Sequence, residues 1–320
     1  MVNNKLTSGS GKNLPAAISD IGCEREINED RYAVLETAGG RVWAVCDGMG
    51  GTVGGELAAQ LAIDSMQRKL ETSDSGAPSN LLKAAIEEAN RIIVLRRSNP
   101  AFREMGTTVT AVFIAQNGDD VVISSIGDTR AYLLSEDSIT QLTRDDTYVQ
   151  DLVDRGAISE DEADIHPQAH VLTNCLGNDI RLNVENKRYY VSATDKKQSG
   201  DSLLLCSDGL YSLVSDEDIL GVARANAPQE ACIKLVEMAK AKGGYDNITV
   251  MILPLNGVLK DEPSPQHKEV KERRQEEITA ARPRMRKVQT PAAKLAISLM
   301  SFCMGGLVAA IILVAVKLAG

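Results

Sequence analysis

Two apolar stretches of this sequence end at an aspartate that is followed by glycine. Residues 41–46 (RVWAVC) lead directly into Asp47 and Gly48, and residues 202–206 (SLLLC) lead through one serine into Asp208. Short apolar runs of this kind predict buried strands. A carboxylate at the end of a buried strand loses part of its hydration, which is costly unless a partner offsets its charge. Any fold of this chain must therefore supply partners for acids at the ends of its core strands.

Two further aspartates border predicted strands. Asp128 lies between strands predicted at 120–126 and 130–134, and Asp246 precedes a strand predicted at 248–253. A single Asp-Gly pair usually marks a turn, but four acids at strand ends would repel one another if they met at one edge. A divalent cation would remove that repulsion, and Mg²⁺ or Mn²⁺ prefers such hard oxygen ligands. The predicted ligands are Asp47, Asp128, Asp208, Asp246 and the backbone carbonyl of Gly48.

Several other classes of site do not fit the sequence. Gly55 is followed by Glu56, so the glycine-rich stretch lacks the Gly-Lys-Ser/Thr of a phosphate-binding loop, and Val53 stands where a dinucleotide-binding loop needs glycine. The six cysteines include no C-x-x-C pair, which indicates reduced thiols in a cytosolic protein rather than disulfides or zinc ligands. The histidines are too few and too scattered for a zinc hydrolase. They are His166, His170 and His267.

The net charge of −9 is divided unevenly along the chain. Residues 1–255 hold 24 Lys and Arg against 38 Asp and Glu, a balance of −14, whereas residues 256–320 hold 11 against 6, a balance of +5. Nucleic acids bind basic faces, so the acidic body argues against a nucleic-acid partner.

Arg25 stands among acids in the segment CEREINEDRY, residues 23–32. Taken alone, this segment predicts a solvated, charged turn. Beside a metal site, the planar guanidinium of Arg25 would match two oxygens of a phosphate group. Arginine, carboxylates and divalent ions together predict phosphoryl chemistry.

Composition divides the chain into four segments. Residues 1–13 are polar and predict a flexible N-terminus without a signal peptide. Residues 14–255 predict the folded domain, and residues 256–294 have the charged composition of a juxtamembrane linker. Residues 295–316 carry no charge and as a helix would span about 33 Å, enough to cross a bilayer. The alternative for this run is a buried core helix or a dimerisation helix.

The flank of the predicted transmembrane helix indicates its orientation. Arg and Lys residues precede it from 282 to 294 without an acid among them. Positive flanks stay in the cytoplasm, so a single-pass protein of the inner membrane with its domain in the cytosol is predicted.

Within the domain, periodicity predicts an α+β protein. Strands are predicted at 41–46, 108–115, 120–126, 130–134, 202–206 and 248–253. Helices are predicted at 54–70, 79–97, 147–156, 216–225 and 228–241, with Ser79 and Ser215 as N-caps. Hairpin-linked strands with helices inserted between the groups favour two antiparallel sheets covered by helices.

Eight segments in order resemble the metal-dependent serine/threonine protein phosphatases, the PPM or type 2C class, and specifically their bacterial branch. The resemblance runs from about Ala17 to Pro254. It implies a central β-sandwich of two antiparallel sheets flanked by α-helices, with a binuclear metal centre at one edge. The segments are SDIGCEREINEDRY, AVCDGMGG, MGTTVTAVFI, SSIGDTRAYLL, QLTRDDTYVQDLVDRGAIS, HPQAHVLTNCLG, LLLCSDGLYSLVSDEDI and GGYDNITVMIL.

The resemblance implies a role for each predicted metal ligand. Asp47 would bridge two Mn²⁺ or Mg²⁺ ions, and the carbonyl of Gly48 would bind one of them. Asp208 and Asp246 would hold the other ion. Asp128 would support, together with Asp208, a third and weaker ion. The implied cofactors are therefore two divalent ions per domain, with a third at lower affinity.

The resemblance also implies the surroundings of the metals. Arg25 would bind the phosphate, and Glu29 and Asp30 would hold metal-bound waters and this arginine. Asn247 would orient the aspartate before it. Residues 144–176, called the flap from here on, would lie over the cleft and influence the choice of substrate.

The function implied is hydrolysis of phosphoserine and phosphothreonine on proteins by a metal-activated water, without a covalent phospho-enzyme. Met49 replaces the histidine that many eukaryotic members use as a general acid, and Thr52 and Asp146 replace histidines common in bacterial members. These departures affect substrate preference and protonation of the leaving group. Two alternatives are a pseudophosphatase that binds phosphoproteins without turnover and a metallophosphoesterase for small molecules. The expected partners are phosphorylated proteins, as substrates of a membrane-associated serine/threonine kinase.

Overall fold

The computed structural model of the chain describes residues 14–73, 76–178, 182, 184–193 and 200–261. All of them lie in the first of two units, residues 1–262 and 263–320. Among these residues, no helix combines the length and the apolar character needed to cross a membrane. The predicted N-terminal segment 1–13, the predicted transmembrane helix 295–316 and most of the predicted linker 256–294 lie outside the described residues.

The strands of the described residues form two larger antiparallel sheets and one small one. One sheet has the strand order β1-β12-β11-β8-β9, and the other has the order β13-β10-β7-β6-β3-β2, while β4 and β5 pair separately. The strands are β1 (Ala16–Asp20), β2 (Arg31–Thr37), β3 (Gly40–Cys46), β4 (Gly48–Met49), β5 (Gly106–Thr107), β6 (Val109–Ala115), β7 (Asp120–Ile126), β8 (Arg130–Leu134), β9 (Ile139–Gln141), β10 (Glu185–Ala193), β11 (Ser202–Cys206), β12 (Ile248–Pro254) and β13 (Gly257–Asp261).

Alternating side chains sort the central strands into two apolar faces. Leu203 and Leu205 of β11 pack in one core cluster with Trp43 and Val45 of β3, so this cluster lies between the two sheets. Leu204 points the other way, into a cluster with the helices behind the five-stranded sheet. Successive side chains of a strand point to opposite faces, so a strand buried on both sides reads as one continuous apolar run. The result is a β-sandwich with helices on both outer faces, and the predicted α+β fold is confirmed.

The helices cover one outer face of each sheet. The long helices α1 and α2 pack on the six-stranded sheet, and α5, α6 and α7 pack on the five-stranded sheet. Ser215 caps α6 as predicted, because its hydroxyl accepts a hydrogen bond from the N–H of Asp218 at 3.2 Å. The helices are α1 (Gly51–Glu71), α2 (Pro78–Arg96), α3 (Tyr148–Asp154), α4 (Glu160–Asp164), α5 (Asp208–Tyr211), α6 (Asp216–Ala225) and α7 (Pro228–Ala241).

Three local expectations differ from the structure. Helix α2 begins at Pro78, because proline with its fixed φ suits the first helical position, so Ser79 is not the N-cap. The chain remains in the sheet beyond 255, since β13 pairs with β10 and buries Leu259. The predicted start of the linker at 256 is therefore too early. Seven strands are not among the predicted ones, because they are very short or because polar residues interrupt their apolar patterns. They are β1, β2, β4, β5, β9, β10 and β13.

Candidate active site

The ends of strands from both sheets surround one cleft of about 720 Å³. Cys206 at the end of β11 pairs with both Val250 of β12 and Arg130 of β8, so Asp208, Asp246 and Asp128 come to the same edge. Asp47 reaches this edge from the end of β3. The structure thus brings all four predicted aspartates together, and the cleft lining also includes Arg25, Glu29, Gly48, Met49 and His170.

Backbone and hydroxyl groups fix Asp47 at the end of β3. Its N–H donates to the hydroxyl of Thr108 at 3.0 Å, and its carbonyl accepts from the N–H of Thr108 at 2.9 Å and from the hydroxyl of Thr107 at 2.8 Å. Burial, followed by the charges of Asp30 and Asp208, raises the pKa of Asp47 well above its usual range. The carboxyl group is therefore held in a place that disfavours its charge unless a cation is present.

The structure gives different reasons for two of the glycines after Asp47. Gly48 lies in β4 and has no positive φ, and a Cβ on it would collide with the carbonyl of Gly55 in α1. Close approach of two backbone segments therefore requires glycine at 48. Gly50 does have a positive φ of 126°, which favours glycine. A metal-binding role for the Gly48 carbonyl stays a prediction.

Asp246 and Arg25 form an ion pair across the cleft mouth. The Nη2 atom of Arg25 lies 2.6 Å from Oδ2 of Asp246, and both side chains are partly exposed, at 47% and 35%. The other oxygen of Asp246 accepts from the N–H of Asn247 at 2.7 Å. Arg25 thus bonds to one of the predicted metal ligands. The role of Glu29 and Asp30 in holding metal-bound waters and this arginine stays a prediction.

Asp208 begins the short helix α5, directly after Ser207. Its Oδ1 atom is buried and has no hydrogen-bond partner, and its Oδ2 atom lies 3.6 Å from Nδ1 of His170. The carboxylate of Asp208 raises the pKa of this imidazole. An oxygen that is buried without a donor is costly in a native protein, which indicates that Asp208 needs a further partner.

Asp128 lies in the turn between β7 and β8 and is 6% exposed. Burial, with the charges of Asp208 and Asp145, raises the pKa of Asp128 to about 7. Its carbonyl accepts a hydrogen bond from the hydroxyl of Tyr211 in α5 at 3.0 Å. The guanidinium of Arg130 lies over the ring of Tyr211, 3.6 Å from its centre. Asp128 is thereby bonded to α5, the helix that begins with Asp208.

Asn247 fastens the loop that carries Arg25. Its amide nitrogen donates to the carbonyls of Ile21 and Ile27 at 3.0 and 3.1 Å, and its amide oxygen accepts from the N–H of Glu29 at 2.7 Å. The residue holds the loop in place, in addition to the bond of its N–H with the aspartate before it.

Asp30 is 2% exposed and lies behind the cleft. Its Oδ2 atom accepts from the hydroxyls of Ser207 and Thr249, each at 2.7 Å. Burial raises the pKa of Asp30 to about 7. Oδ1 of Asp30 and Oε1 of Glu29 are both buried without a hydrogen-bond partner. Sequence reasoning missed Ser207 and Thr249, because only the fold brings them to Asp30.

The donor set of the cleft fits a divalent cation. In the side-chain positions that the structure describes, no three carboxylate, imidazole or thiol groups gather closely enough to enclose an ion. The four aspartates nevertheless share one cleft with a single arginine, and three nearby carboxyl groups keep a buried oxygen without a partner. All these donors are hard oxygens, as Mg²⁺ and Mn²⁺ require. A divalent ion in the cleft would give the unpaired oxygen of Asp208 a partner.

The flap covers one side of the cleft and contributes His170, Leu172 and Cys175 to its lining. Asp146, predicted as a departure from the family pattern, accepts from the N–H of Gly127 at 3.1 Å and from the side chain of Asn174 at 3.0 Å. The side chain of Thr52 lies outside what the structure describes. The spacing of the histidines excludes a zinc site but does not indicate that His170 lines the cleft. Its place in a flap over the cleft was the available signal.

The two cysteines beside the aspartates belong to the core. Cys46 and Cys206 are fully buried at the ends of β3 and β11. Burial raises the pKa of both thiols. Neither thiol is placed or ionised as a nucleophile would be.

Comparison with known sequences assigns this chain to a protein family. The family model described as protein phosphatase 2C matches residues 24–238. The serine/threonine protein phosphatase PstP of Mycobacterium tuberculosis is 38% identical over 239 residues, which cover 74% of this chain and 44% of PstP. This chain therefore spans less than half the length of that relative. The serine/threonine phosphatase stp of Listeria innocua is 34% identical over 245 residues, covering 74% of this chain and 94% of the relative.

Comparison with solved structures gives the same fold. A crystal structure of PstP from M. tuberculosis superposes with a TM-score of 0.66 at 38% identity, covering 75% of this chain and 97% of that one. A structure of the catalytic domain of PstP in complex with two manganese ions superposes with a TM-score of 0.64 at 37% identity, covering 74% and 96%.

Proposed function

The chain belongs to the protein phosphatase 2C family, and from this premise we propose that it is a metal-dependent serine/threonine protein phosphatase. One observation carries the proposal. Asp47, Asp128, Asp208 and Asp246 meet Arg25 in a single cleft, and Asp208 keeps a buried oxygen without a partner. The two manganese ions in the PstP structure support the same reading of these acids.

The residues divide the work by their positions. Asp47, the Gly48 carbonyl, Asp208 and Asp246 would hold two Mn²⁺ or Mg²⁺ ions, and Asp128 would hold a third with Asp208. When bound, such ions supply Lewis acidity and lower the pKa of water to near neutrality. The chain itself holds these carboxylates on strand ends, so they need little reorganisation when charge develops in the transition state.

Arg25 would bind the phosphate oxygens and orient the phosphoryl group. In the structure its guanidinium bonds to Asp246. A cation on Asp246 would weaken this pair, and the fork of Arg25 would then be free to donate two parallel hydrogen bonds to phosphate. Asn247 keeps the loop of Arg25 at the cleft during this exchange.

The proposal is tested by phosphate release from the purified full chain. We expect hydrolysis of a phosphothreonine peptide that requires Mn²⁺ or Mg²⁺ and stops with EDTA, with slower hydrolysis of small sugar phosphates. Absence of turnover with intact peptide binding would instead identify a pseudophosphatase. Faster hydrolysis of the small esters would identify a metallophosphoesterase for small molecules.

Replacing Arg25 by lysine should weaken substrate binding more than the chemical step. Lysine offers a point charge in place of the planar fork. Hydrogen bonds to charged groups contribute about 1.5–3 kcal/mol, so we expect kcat/KM to fall about tenfold to a hundredfold, mostly through KM. Arg41→Lys is the matched control, because Arg41 pairs with Glu36 on the exposed side of β2 and β3. Equal kinetics in the two variants would remove Arg25 from its role.

We also propose that residues 295–316 tether the domain to the cytoplasmic membrane, near proteins phosphorylated by a serine/threonine kinase. The uncharged run and its basic flank support this. Tethering raises the local concentration of membrane substrates without new contacts. In cell fractionation the full chain should stay with membranes after an alkaline wash, and a chain without 295–320 should not. Recovery of both in the soluble fraction would refute the tether, and unchanged phosphorylation sites after gene deletion would refute the substrates.

A further inference from the structure

His170 is placed on the flap wall of the cleft, facing the end of β11. Its Nδ1 atom lies 3.6 Å from Oδ2 of Asp208, and its side chain is 75% exposed. A distance of 3.6 Å is longer than a hydrogen bond between these atoms. An oxygen and a nitrogen that can each bind a metal therefore lie side by side as an ion pair. The other oxygen of Asp208, Oδ1, is buried without a hydrogen-bond partner.

The spacing of these donors suits two ligands of one ion. Ligands at about 2.1 Å from a metal and at roughly right angles to each other are about 3 Å apart. A small rotation of the exposed imidazole would shorten the distance of 3.6 Å between the two atoms to this ligand spacing. Asp128 lines the same cleft as Asp208 and His170.

We propose that His170 supplies a nitrogen ligand to the ion that Asp128 and Asp208 share, and so connects the flap to the metal centre. This inference rests on the proposed function and deepens it. Imidazole nitrogen binds Mn²⁺, Co²⁺ or Zn²⁺ in preference to Mg²⁺, which favours oxygen. The metal site of Asp128, Asp208 and His170 would therefore discriminate between metals more strongly than the two sites that have only oxygen ligands.

Contacts within the flap hold its base against the loop of Asp128. The N–H of Asp146 donates to the carbonyl of Gly127 at 2.9 Å, and the N–H of Gly127 donates to the carboxylate of Asp146 at 3.1 Å. Thr147 and Leu172 form an antiparallel bridge two residues from His170. These bonds place the backbone of His170 relative to Asp128.

His166 provides a matched control in the same flap. Its Nδ1 atom accepts a hydrogen bond from the N–H of Gln168 at 3.1 Å, and its ring lies 6.3 Å from that of Tyr148. It does not line the cleft. Both histidines are on the surface of the flap, so replacing either one should leave the fold unchanged.

The test is electron spin echo spectroscopy of the full chain, labelled with ¹⁵N in histidine and loaded with three equivalents of Mn²⁺. We expect a ¹⁵N coupling to Mn²⁺ that disappears in His170→Gln and persists in His166→Gln. Mn²⁺ titration calorimetry should show the weakest binding step weakened at least about tenfold in His170→Gln only. Absence of the coupling in the wild-type chain, or its persistence in His170→Gln, would overturn the proposal.

Failure of this inference can be told apart from failure of the proposed function. Mn²⁺-dependent phosphate release without a nitrogen coupling would overturn only the role of His170. A nitrogen coupling without phosphatase activity would support that role and overturn only the proposed function. Absence of Mn²⁺ binding would overturn both.

Discussion

Replacing Asp47 by asparagine is expected to lower kcat at least about 10³-fold while the protein stays folded. Metal ions supply several kcal/mol of transition-state stabilisation in such sites, and each 1.36 kcal/mol corresponds to a factor of ten in rate. Asparagine keeps the shape of the side chain but lacks the charge that would bridge two ions. The change is measured as Mn²⁺-dependent release of phosphate from a phosphothreonine peptide.

The same variant should not lose stability when metal is absent. Burial and neighbouring acids raise the pKa of Asp47, so its charge destabilises the metal-free fold. The midpoint of thermal unfolding in EDTA should therefore be equal to or higher than that of the wild-type chain. Asp119→Asn, in the exposed turn before β7, is the control and should leave both activity and stability unchanged. Activity of Asp47→Asn within tenfold of wild type would contradict the metal-bridging role.

Metal-free protein should lose stability as pH rises from about 5 to 8. The pKa values of Asp30 and Asp128 are about 7 in the fold, against about 3.9 in an unfolded chain. Between these values the folded state binds more protons than the unfolded state, so the free energy of unfolding falls as pH rises. His170 acts in the same direction, because Asp208 raises its pKa and the resulting stability is lost above that pKa.

The expected size of this effect is measurable by calorimetry. For a domain of this size, 1 kcal/mol shifts the unfolding midpoint by about 2–4 °C, and we expect a drop of at least about 4 °C from pH 5 to pH 8 in EDTA. Saturating Mn²⁺ should raise the midpoint at pH 8 and have little effect at pH 5, where protons compete for the carboxylates. Asp128→Asn should flatten the profile in EDTA. A midpoint that rises with pH in EDTA would show that these acids are not held as the structure places them.

Much of the site could be predicted from sequence because its signals are local. Asp47 and Asp208 each follow an apolar run, so each is predicted at the C-terminal end of its strand. The continuous run in β11 indicated burial on both faces, and Leu203 and Leu204 indeed belong to different clusters. The resemblance then supplied the pairing of strands that local patterns leave open.

Other parts depend on contacts between distant segments. Glycine is required at 48 because a Cβ there would collide with the backbone of Gly55 and of Glu29, which no local pattern indicates. The bond between Arg25 and Asp246 joins residues 221 positions apart, which no local pattern indicates. The position of His170 depends on the path of the flap, so a search for zinc spacing could not find it. Strand β10 is not predicted because it begins with Glu, Asn, Lys and Arg, although it pairs with a strand on each side.

Both sheets contribute acids to the cleft, and this arrangement has a mechanical consequence. Asp47 follows a strand of the six-stranded sheet, whereas Asp208 and Asp246 border strands of the five-stranded sheet. Ions bound by these residues would therefore cross-link the two sheets of the sandwich. Separation of the two sheets would then require the ions to dissociate first. We expect the lifetime of the native state under force or in denaturant to lengthen with free Mn²⁺ concentration, even where the refolding rate does not change.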